Sequence, residues 1–440
     1  MTDSKNLAEL LFPHITKTPS EYEALYPPRQ LKDGARVTRF APSPTGFLHF
    51  GNLFTCLISY KIAKSTDGIF YVRVEDTDQK RKVDGAVEVM LRGLSYYGIK
   101  PDEGVIAENE EKGAYGPYKQ SERKDIYQAY AKQLVEEGLA YPCFCSEEEL
   151  ERIRESQEGE DIKGYYGEYA ACRNLSFEEI SKKIAAGEKW TLRLKSPGSI
   201  DKKCVFEDMI KGKIEMPENV QDIVLLKSDG IPTYHFASVV DDHLMRTTHI
   251  VRGDEWISSC PIHLQLNKLL GFKTPKFVHV APIMKAEGEG KRKLSKRKDP
   301  EAAVTYYSEQ GYPSESVNEY MMTLANSNFE DWRRANKTED INKFPFNIKK
   351  MSVSGALFDI AKLDDISKTV ISVMDCKKVF ELSHEWAKEY CEPLARLYEA
   401  DFEYATAILN IDRGNKKPRK DIAKWSDIPD YISYMYDETF

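Results

Sequence analysis

The sequence predicts an α/β protein built on a parallel sheet, with a smaller α+β segment inserted into it and a helical region after it. Three observations carry this. From Arg36 an apolar strand, Val37 to Phe40, runs into a Pro/Gly-punctuated turn, a helix and a second strand, Ile69 to Val74, which is the order of a βαβ unit in a parallel sheet. Between Tyr141 and roughly Val220 the pattern changes to charged, glycine-interrupted segments and short strands. After Pro300 strand signals become sparse, and Tyr306, Tyr320, Met321, Leu324, Phe358, Ile360 and Leu363 fall within helical patterns.

Each element follows from its own residues. The first helix carries Leu53, Leu57, Ile58, Tyr60 and Ile62 at near-helical spacing until Gly68 stops it. Val83 to Gly98 and Arg123 to Gly138 are two more amphipathic helices, each ending at a glycine able to take the left-handed cap conformation. Inside the insertion Trp190 to Leu194 is a short strand. The α/β pattern resumes at Ile223 to Leu226, then Tyr234 to Val240, His249 to Arg252, and a helix through Leu264 to Leu270. A short apolar helix signal at Leu7 to Leu11 precedes everything. The chain thus divides into an N-terminal extension (1–35), the first half of the sheet (36–140), the insertion (141–220), the second half (221–300) and a helical region (301–440).

Bulk composition narrows the function classes. A chain of 440 residues, 41% hydrophobic, holds several cores. It has no apolar run of eighteen residues and no basic-then-apolar leader, so a cytoplasmic address without a membrane is expected. With 63 Lys and Arg against 71 Asp and Glu the net charge is −8, the wrong sign for a protein that simply coats nucleic acid. Nucleic acid can still be met by local runs such as Lys291 to Lys298 and Lys416 to Lys420, which are otherwise solvated loops. The eight cysteines lack the spacing of a disulfide framework. Only Cys143 and Cys145, with Cys172 beyond them, have ligand-like spacing for Zn²⁺; the alternative is half-buried thiols in a loop.

Two motifs carry chemistry. The turn from Pro42 to Asn52 lies between a strand and a helix, where unpaired backbone N–H groups and the positive dipole end suit the phosphates of ATP. Gly46 and Gly51 permit close backbone approach, and His49 can donate to an α-phosphate as its charge develops. The second motif, Lys293-Leu294-Ser295-Lys296-Arg297, follows a strand-like Phe277 to Val280 and offers cations that can close over a pyrophosphate leaving group.

The stretch Arg39-Phe40-Ala41-Pro42-Ser43-Pro44-Thr45-Gly46, with His49 and Gly51, resembles the signature of glutamyl-tRNA synthetases. Val72 to Asp78, Gln120 to Arg123, Lys227 to His235, Val239 to His243 and His249 to Trp256 resemble the same family in order, and Lys293 to Arg297 is similar to its KMSKS loop. The resemblance covers about Arg36 to Asp365. It implies a Rossmann-type catalytic domain, with the insertion binding the tRNA acceptor end and the helical region contacting the stem and forming part of an anticodon-binding region. It also implies ATP as substrate with Mg²⁺, L-glutamate and tRNA(Glu) as partners, and a monomer. The catalytic residues implied are His49, Lys293, Ser295 and Lys296. ATP would meet His49, Gly51, Asn52, Trp256, Lys293, Leu294, Ser295, Lys296 and Arg297, and glutamate would meet Arg39, Ala41, Ser43, Glu75, Tyr234 and Arg252.

The inventory of charges agrees with that substrate. Two carboxylates and one ammonium call for two guanidiniums and one acid, because Arg grips a carboxylate through parallel hydrogen bonds. Arg39, Arg252 and Glu75 supply these; the alternative is a structural ion pair between Arg39 and Glu75. A pocket built around Arg252 rejects the neutral amide, since a buried cation left without its anion is costly. Three departures from the family are expected to matter: about thirty-five residues precede the first strand, Ser238 stands where an Asn is usual, and the chain stops before the last anticodon-binding helices are complete. In some members the Cys-x-Cys segment holds zinc, which Tyr166, Tyr169 or no fourth ligand would complete here. Alternatives to tRNA charging are glutamyl transfer to a modified tRNA base and a non-catalytic module that kept the fold.

Overall fold

A computed structural model describes residues 3–44, 46, 48–81, 83–295 and 297–436, the side chain of Gln79 excepted. From the N-terminus the elements are α1 (Asp3–Leu11), α2 (Pro19–Leu25), β1 (Val37–Phe40), α3 (Phe50–Lys64), β2 (Ile69–Val72), α4 (Ala86–Tyr96), β3 (Glu103–Ala107), β4 (Glu110–Lys112) and α5 (Lys124–Glu136). Next come β5 (Ala140–Cys143), α6 (Glu147–Ser156), α7 (Phe177–Ala185), β6 (Thr191–Leu194), β7 (Lys203–Asp208), β8 (Gly212–Pro217) and β9 (Val224–Leu226). Then α8 (Tyr234–Leu244), β10 (His249–Gly253), α9 (Cys260–Leu269), β11 (Lys276–Val280), β12 (Met284–Glu287) and β13 (Gly290–Lys293) follow. The rest is helical: α10 (Thr305–Gln310), α11 (Ser314–Ala325), α12 (Phe329–Ala335), α13 (Ile360–Ser372), α14 (Cys376–Tyr390), α15 (Glu392–Ala400), α16 (Phe402–Leu409) and α17 (Ile428–Ile432). Among the described residues no helix is long and apolar enough to cross a membrane.

The chain forms two compact units. One comprises Met1–Thr45, Thr66–Asp84 and Pro101–His279, the other Gly46–Ser65, Gly85–Lys100 and Val280–Phe440. In the first, β1, β2 and β3 pair in parallel, Val37 opposite Ile69 and Tyr71 opposite Glu103, with β4 antiparallel at the edge. All four residues of β1 are buried, as a parallel strand covered on both faces requires. β10 lies beside β1, where the Thr248 N–H just ahead of it donates to Val37 O at 3.0 Å. A second four-stranded sheet has the order β10-β11-β7-β8, with β7 parallel to β11. After α5, Gly138 takes a φ of 72°, as its sequence position predicts.

Two expectations about the sheet need correction. Ile223 to Leu226 does not resume the parallel sheet, because β9 pairs antiparallel with β6, which pairs antiparallel with β5. Conversely β7, inside the stretch taken as the insertion, pairs in parallel with β11 of the second sheet. A short apolar run fits either kind of ladder, and only its distant partner decides. The N-terminal thirty-five residues are woven into this unit. Ala8, Leu11, Phe12 and Ile15 are buried, Lys132 donates to Phe12 O and Ile15 O, and Arg29 grips Glu103 at 2.7 and 2.9 Å.

The second unit holds α3, α4, the β12–β13 hairpin and the helices from α10 onward. Phe50 packs on Tyr307 and Phe358, with ring centroids 5.2 and 5.6 Å apart. Phe358 lies ahead of α13 rather than in a helix: its N–H donates to Met284 O at 2.7 Å, and Asp359 caps the helix that begins after it. Leu394, Tyr398, Trp425 and Ile428 centre a further core.

One helix organises the first unit electrostatically. α8 carries Asp241 and Asp242, both buried. Adjacent helix positions point about 100° apart, so the two acids serve different neighbours. Asp241 accepts from Arg123 Nε at 2.7 Å, Tyr127 Oη at 2.8 Å and Gln120 Nε2 at 2.9 Å. Asp242 accepts from Arg39 Nε at 2.9 Å and Arg73 Nη1 at 2.8 Å. Burial works to raise the Asp242 pKa, but Arg39 and Arg73 outweigh it and hold the carboxyl below its ordinary value. Asp241→Ala leaves a buried guanidinium and a phenol without their acceptor, so thermal denaturation should report a loss of about 3–5 kcal/mol; an unchanged Tm would contradict the network's structural weight.

Candidate active site

The residues expected to hold an amino acid gather in the first unit around the carboxyl ends of the parallel strands, where open α/β sheets bind ligands. Arg39 sits on β1, Glu75 just beyond β2, Tyr234 at the start of α8 and Arg252 near the end of β10. Arg39, Glu75 and Arg252 are buried, at 4%, 7% and 6% exposure, while Tyr234 and Ala41 are half-buried and Ser43 is exposed. Burial raises the Tyr234 pKa; Glu75 adds to the shift while Arg252 and Arg39 oppose it, so all four side chains share one electrostatic neighbourhood. The Tyr234 ring lies against Trp256, 4.6 Å between centroids.

These charges are not equivalent. The Arg39 fork holds Asp242 with both Nε and Nη2, at 2.9 and 3.2 Å. Glu75 accepts from Arg73 Nη2 at 2.9 Å, and burial pushes its carboxyl above its ordinary value against the pull of Arg73 and Arg39. Arg73, fully buried, joins Glu75 to Asp242 and was absent from the predicted set, as was Asp242. Their only sequence signal was membership of the motif stretches. Ser238 lines the same network, 3.4 Å from Arg73 Nη2. Arg252 differs from the other arginines here. Its Nε donates to His279, its Nη2 to Cys260 Sγ, and Nη1 is buried with no hydrogen-bond partner. Among the described residues no ion pair within 4.0 Å is resolved for it.

From Gly46 onward the nucleotide motifs fall in the second unit, while Trp256, 37% exposed, lies in the first. His49 caps α3: its Nδ1 accepts the Gly51 N–H at 2.9 Å, and its carbonyl accepts from Asn52 and Leu53. A neutral ring that accepts at Nδ1 carries its proton on Nε2, the donor a phosphate needs. A Cβ on Gly51 would stand 3.3 Å from His49 Nδ1, so glycine lets the imidazole fold back onto the helix start.

The second motif is joined to the first by the bridge between His49 and Ala303. Lys293 ends β13, Leu294 is buried at 2% exposure, and Arg297 is exposed; Lys296 lies outside the described residues. Asp299, also missed in the sequence, holds the loop. It accepts from Arg292 Nη1 and Nη2 at 2.6 and 2.7 Å, from Lys285 Nζ at 3.1 Å and from the Ser295 N–H at 2.9 Å. Hydrogen bonds from Arg292 lead in holding its carboxyl well below the usual range.

Cys143, Cys145 and Cys172 converge, their sulfurs all within 4.8 Å of one another. The aromatic partner differs from the expected pair. Tyr165 Oη lies 3.4 Å from Cys145 Sγ, whereas Tyr166 Oη donates to Ile162 O and its ring packs on Tyr169. Tyr165 reaches inward because its hydroxyl also accepts the Cys172 N–H at 3.0 Å. Hydrogen bonds from Cys145 and Cys172 favour the thiolate on Cys143.

The first unit places buried arginines at the ends of parallel strands, and the second carries a His-capped helix start and a cationic hairpin loop. The chain belongs to the family of tRNA synthetases class I (E and Q), catalytic domain, whose pattern matches residues 36–365. A glutamate–tRNA ligase of Clostridium perfringens (strain 13 / Type A) is 53% identical over 437 residues, 99% of this chain and 80% of its own length. That of Acetivibrio thermocellus is 50% identical over 440 residues, 100% of this chain and 80% of its own. The crystal structure of a glutamate tRNA ligase from Elizabethkingia meningosepticum in complex with its amino acid superposes with a TM-score of 0.76 at 30% identity, covering 90% of this chain and 79% of that one.

Replacing Asp299 with Ala should release the loop. The KM for ATP is expected to rise on the order of tenfold, because cations that must be positioned lose their anchor; steady-state pyrophosphate release at varied ATP measures it, and an unchanged KM would remove the anchoring role.

Proposed function

We propose that this chain is a glutamate–tRNA ligase that activates glutamate with ATP and transfers it to the 3′ end of tRNA(Glu). The observation that carries the choice of amino acid is Arg252, a buried guanidinium with one unpartnered nitrogen. The nearby cations Arg39 and Arg73 are matched by Asp242 and Glu75, so Arg252 is the charge left for an anionic side chain. A neutral amide in its place leaves that cation buried and uncompensated, which supports discrimination by several orders of magnitude.

In this reading the α-carboxylate of glutamate attacks the α-phosphorus of ATP and the bond to pyrophosphate breaks. Catalysis is positioning and charge stabilisation. His49 Nε2–H, with Gly51 and Asn52 at the helix start, meets the phosphates; Lys293, Ser295, Lys296 and Arg297 close over the leaving pyrophosphate, Leu294 anchors their loop, and Trp256 takes part in ATP binding. Arg39, Ala41, Ser43, Glu75 and Tyr234 complete the glutamate pocket, Glu75 facing the ammonium. The terminal ribose hydroxyl of tRNA then attacks the carbonyl carbon and AMP leaves. Mg²⁺ accompanying ATP would supply charge neutralisation at the phosphates.

A cavity of about 340 Å³ supports entry of the acceptor end in the first unit. Arg154, Lys163 and Arg193 from the 141–220 segment line it together with Thr233 and His235 at the start of α8. Near it, the three thiols and the Tyr165 hydroxyl offer a four-donor set of the kind a structural zinc takes, which would fix the 141–175 loops.

Purified protein should charge total tRNA with labelled glutamate and not with glutamine, the product co-migrating with glutamate isoacceptors; charging of glutamine alone, or of no tRNA, sinks the proposal. Metal analysis should find about one zinc per chain, lost in Cys145→Ser together with part of the thermal stability; equal zinc content in both proteins would remove the site.

A further inference from the structure

We infer that His279 and Asp208 form a relay that aims Arg252, which makes them positioning residues for the arginine that selects the anionic side chain. The inference rests on the role given to Arg252 above. Two of the three guanidinium nitrogens are tethered: Nε donates to His279 Nε2 at 3.0 Å and Nη2 to Cys260 Sγ at 3.3 Å. The third, Nη1, is buried and unpartnered. Because the guanidinium is planar and rigid, fixing Nε fixes the direction in which Nη1 points.

His279 can accept at Nε2 only while its proton sits on Nδ1. Asp208 secures that tautomer. Its Oδ2 lies 2.8 Å from Nδ1 and also accepts the His279 N–H at 2.9 Å. Its Oδ1 accepts the N–H groups of Ile210 and Lys211, each at 2.9 Å. Three backbone donors therefore hold the carboxylate, and it cannot turn without losing them. Asp208 and His279 are buried at 1% and 0% exposure. Burial lowers the His279 pKa against the pull of Asp208, and Arg252 lowers it further, so the ring stays neutral.

The choice of a histidine has a physical consequence. Arg39 and Arg73 are gripped by a carboxylate directly, which orients them and cancels their charge. A neutral imidazole orients Arg252 and leaves its charge available to a ligand. The anion, Asp208, stands one ring further away, on β7, and acts through the tautomer.

Aminoacylation kinetics of Arg252→Ala, His279→Ala and His279→Gln separate the outcomes. His279→Ala should raise the glutamate KM on the order of tenfold, as loss of one hydrogen bond to a charged group predicts, with kcat and the KM for ATP much less affected and the preference for glutamate over glutamine reduced. His279→Gln, whose amide oxygen can accept from Arg252 Nε, should recover most of that loss. The relay is overturned if His279→Ala leaves the glutamate KM unchanged while Arg252→Ala raises it. It is also overturned if both His279 variants lose kcat, ATP affinity and Tm together, the mark of a purely structural residue. If Arg252→Ala itself leaves the glutamate KM unchanged, the role of Arg252 falls first and the relay with it.

Discussion

Two adjacent aspartates on one helix set the terms for the first unit. Asp241 and Asp242 point to different sides of α8 and between them hold Arg39 from β1, Arg73 from just after β2 and Arg123 from the turn before α5. Buried ion pairs rarely add net stability over an apolar packing of the same shape, but breaking one is costly. The network therefore acts as a constraint: the strand ends and α8 have to meet in one arrangement, or several charges are stranded without water. That arrangement also puts Glu75, Tyr234 and Arg252 in one neighbourhood.

In the proposed function, the charge balance of the network is the source of the site's selectivity. Arg39, Arg73 and Arg123 stand against Glu75, Asp241 and Asp242, three cations and three anions. Arg252 is outside this balance and is oriented by a neutral ring instead. Glu75 keeps a carboxyl raised by burial, which an arriving ammonium would lower again. On that proposal, a substrate carrying both an ammonium and an extra carboxylate supplies the charges that Glu75 and Arg252 call for.

The second unit uses backbone geometry where the first uses buried charge. The His49 cap takes up the Gly51, Asn52 and Leu53 N–H groups at the start of α3 and, by accepting at Nδ1, keeps the ring proton on Nε2 at the positive end of the helix dipole. The β12–β13 hairpin presents its cations on a loop where buried Asp299 gathers Arg292, Lys285 and the Ser295 amide, and buried Glu301 also pairs with Lys285. Lysines and arginines so close together would otherwise repel one another; Asp299 offsets part of that and leaves Lys293 and Arg297 on the loop it shapes.

The sequence by itself determined the elements whose cause is local. The Val37–Phe40 strand, the helix after His49 and the helix ends at Gly98 and Gly138 follow from periodicity, glycine and capping chemistry within a few residues. It also singled out Arg39, Glu75 and Arg252 as the charged set proposed for the substrate, because they lie in recognisable motifs. Only the tertiary structure decided which strands pair: β7 runs parallel to β11, and β9 antiparallel to β6. Only the tertiary structure showed that Asp242 neutralises Arg39, that Tyr165 rather than Tyr166 or Tyr169 faces the thiols, and that Asp208 and His279 stand behind Arg252. The reason is the same each time: a strand's ladder and a buried charge's partner are supplied by residues far away in the chain, and nothing in the local pattern encodes which distant group the fold will bring to them.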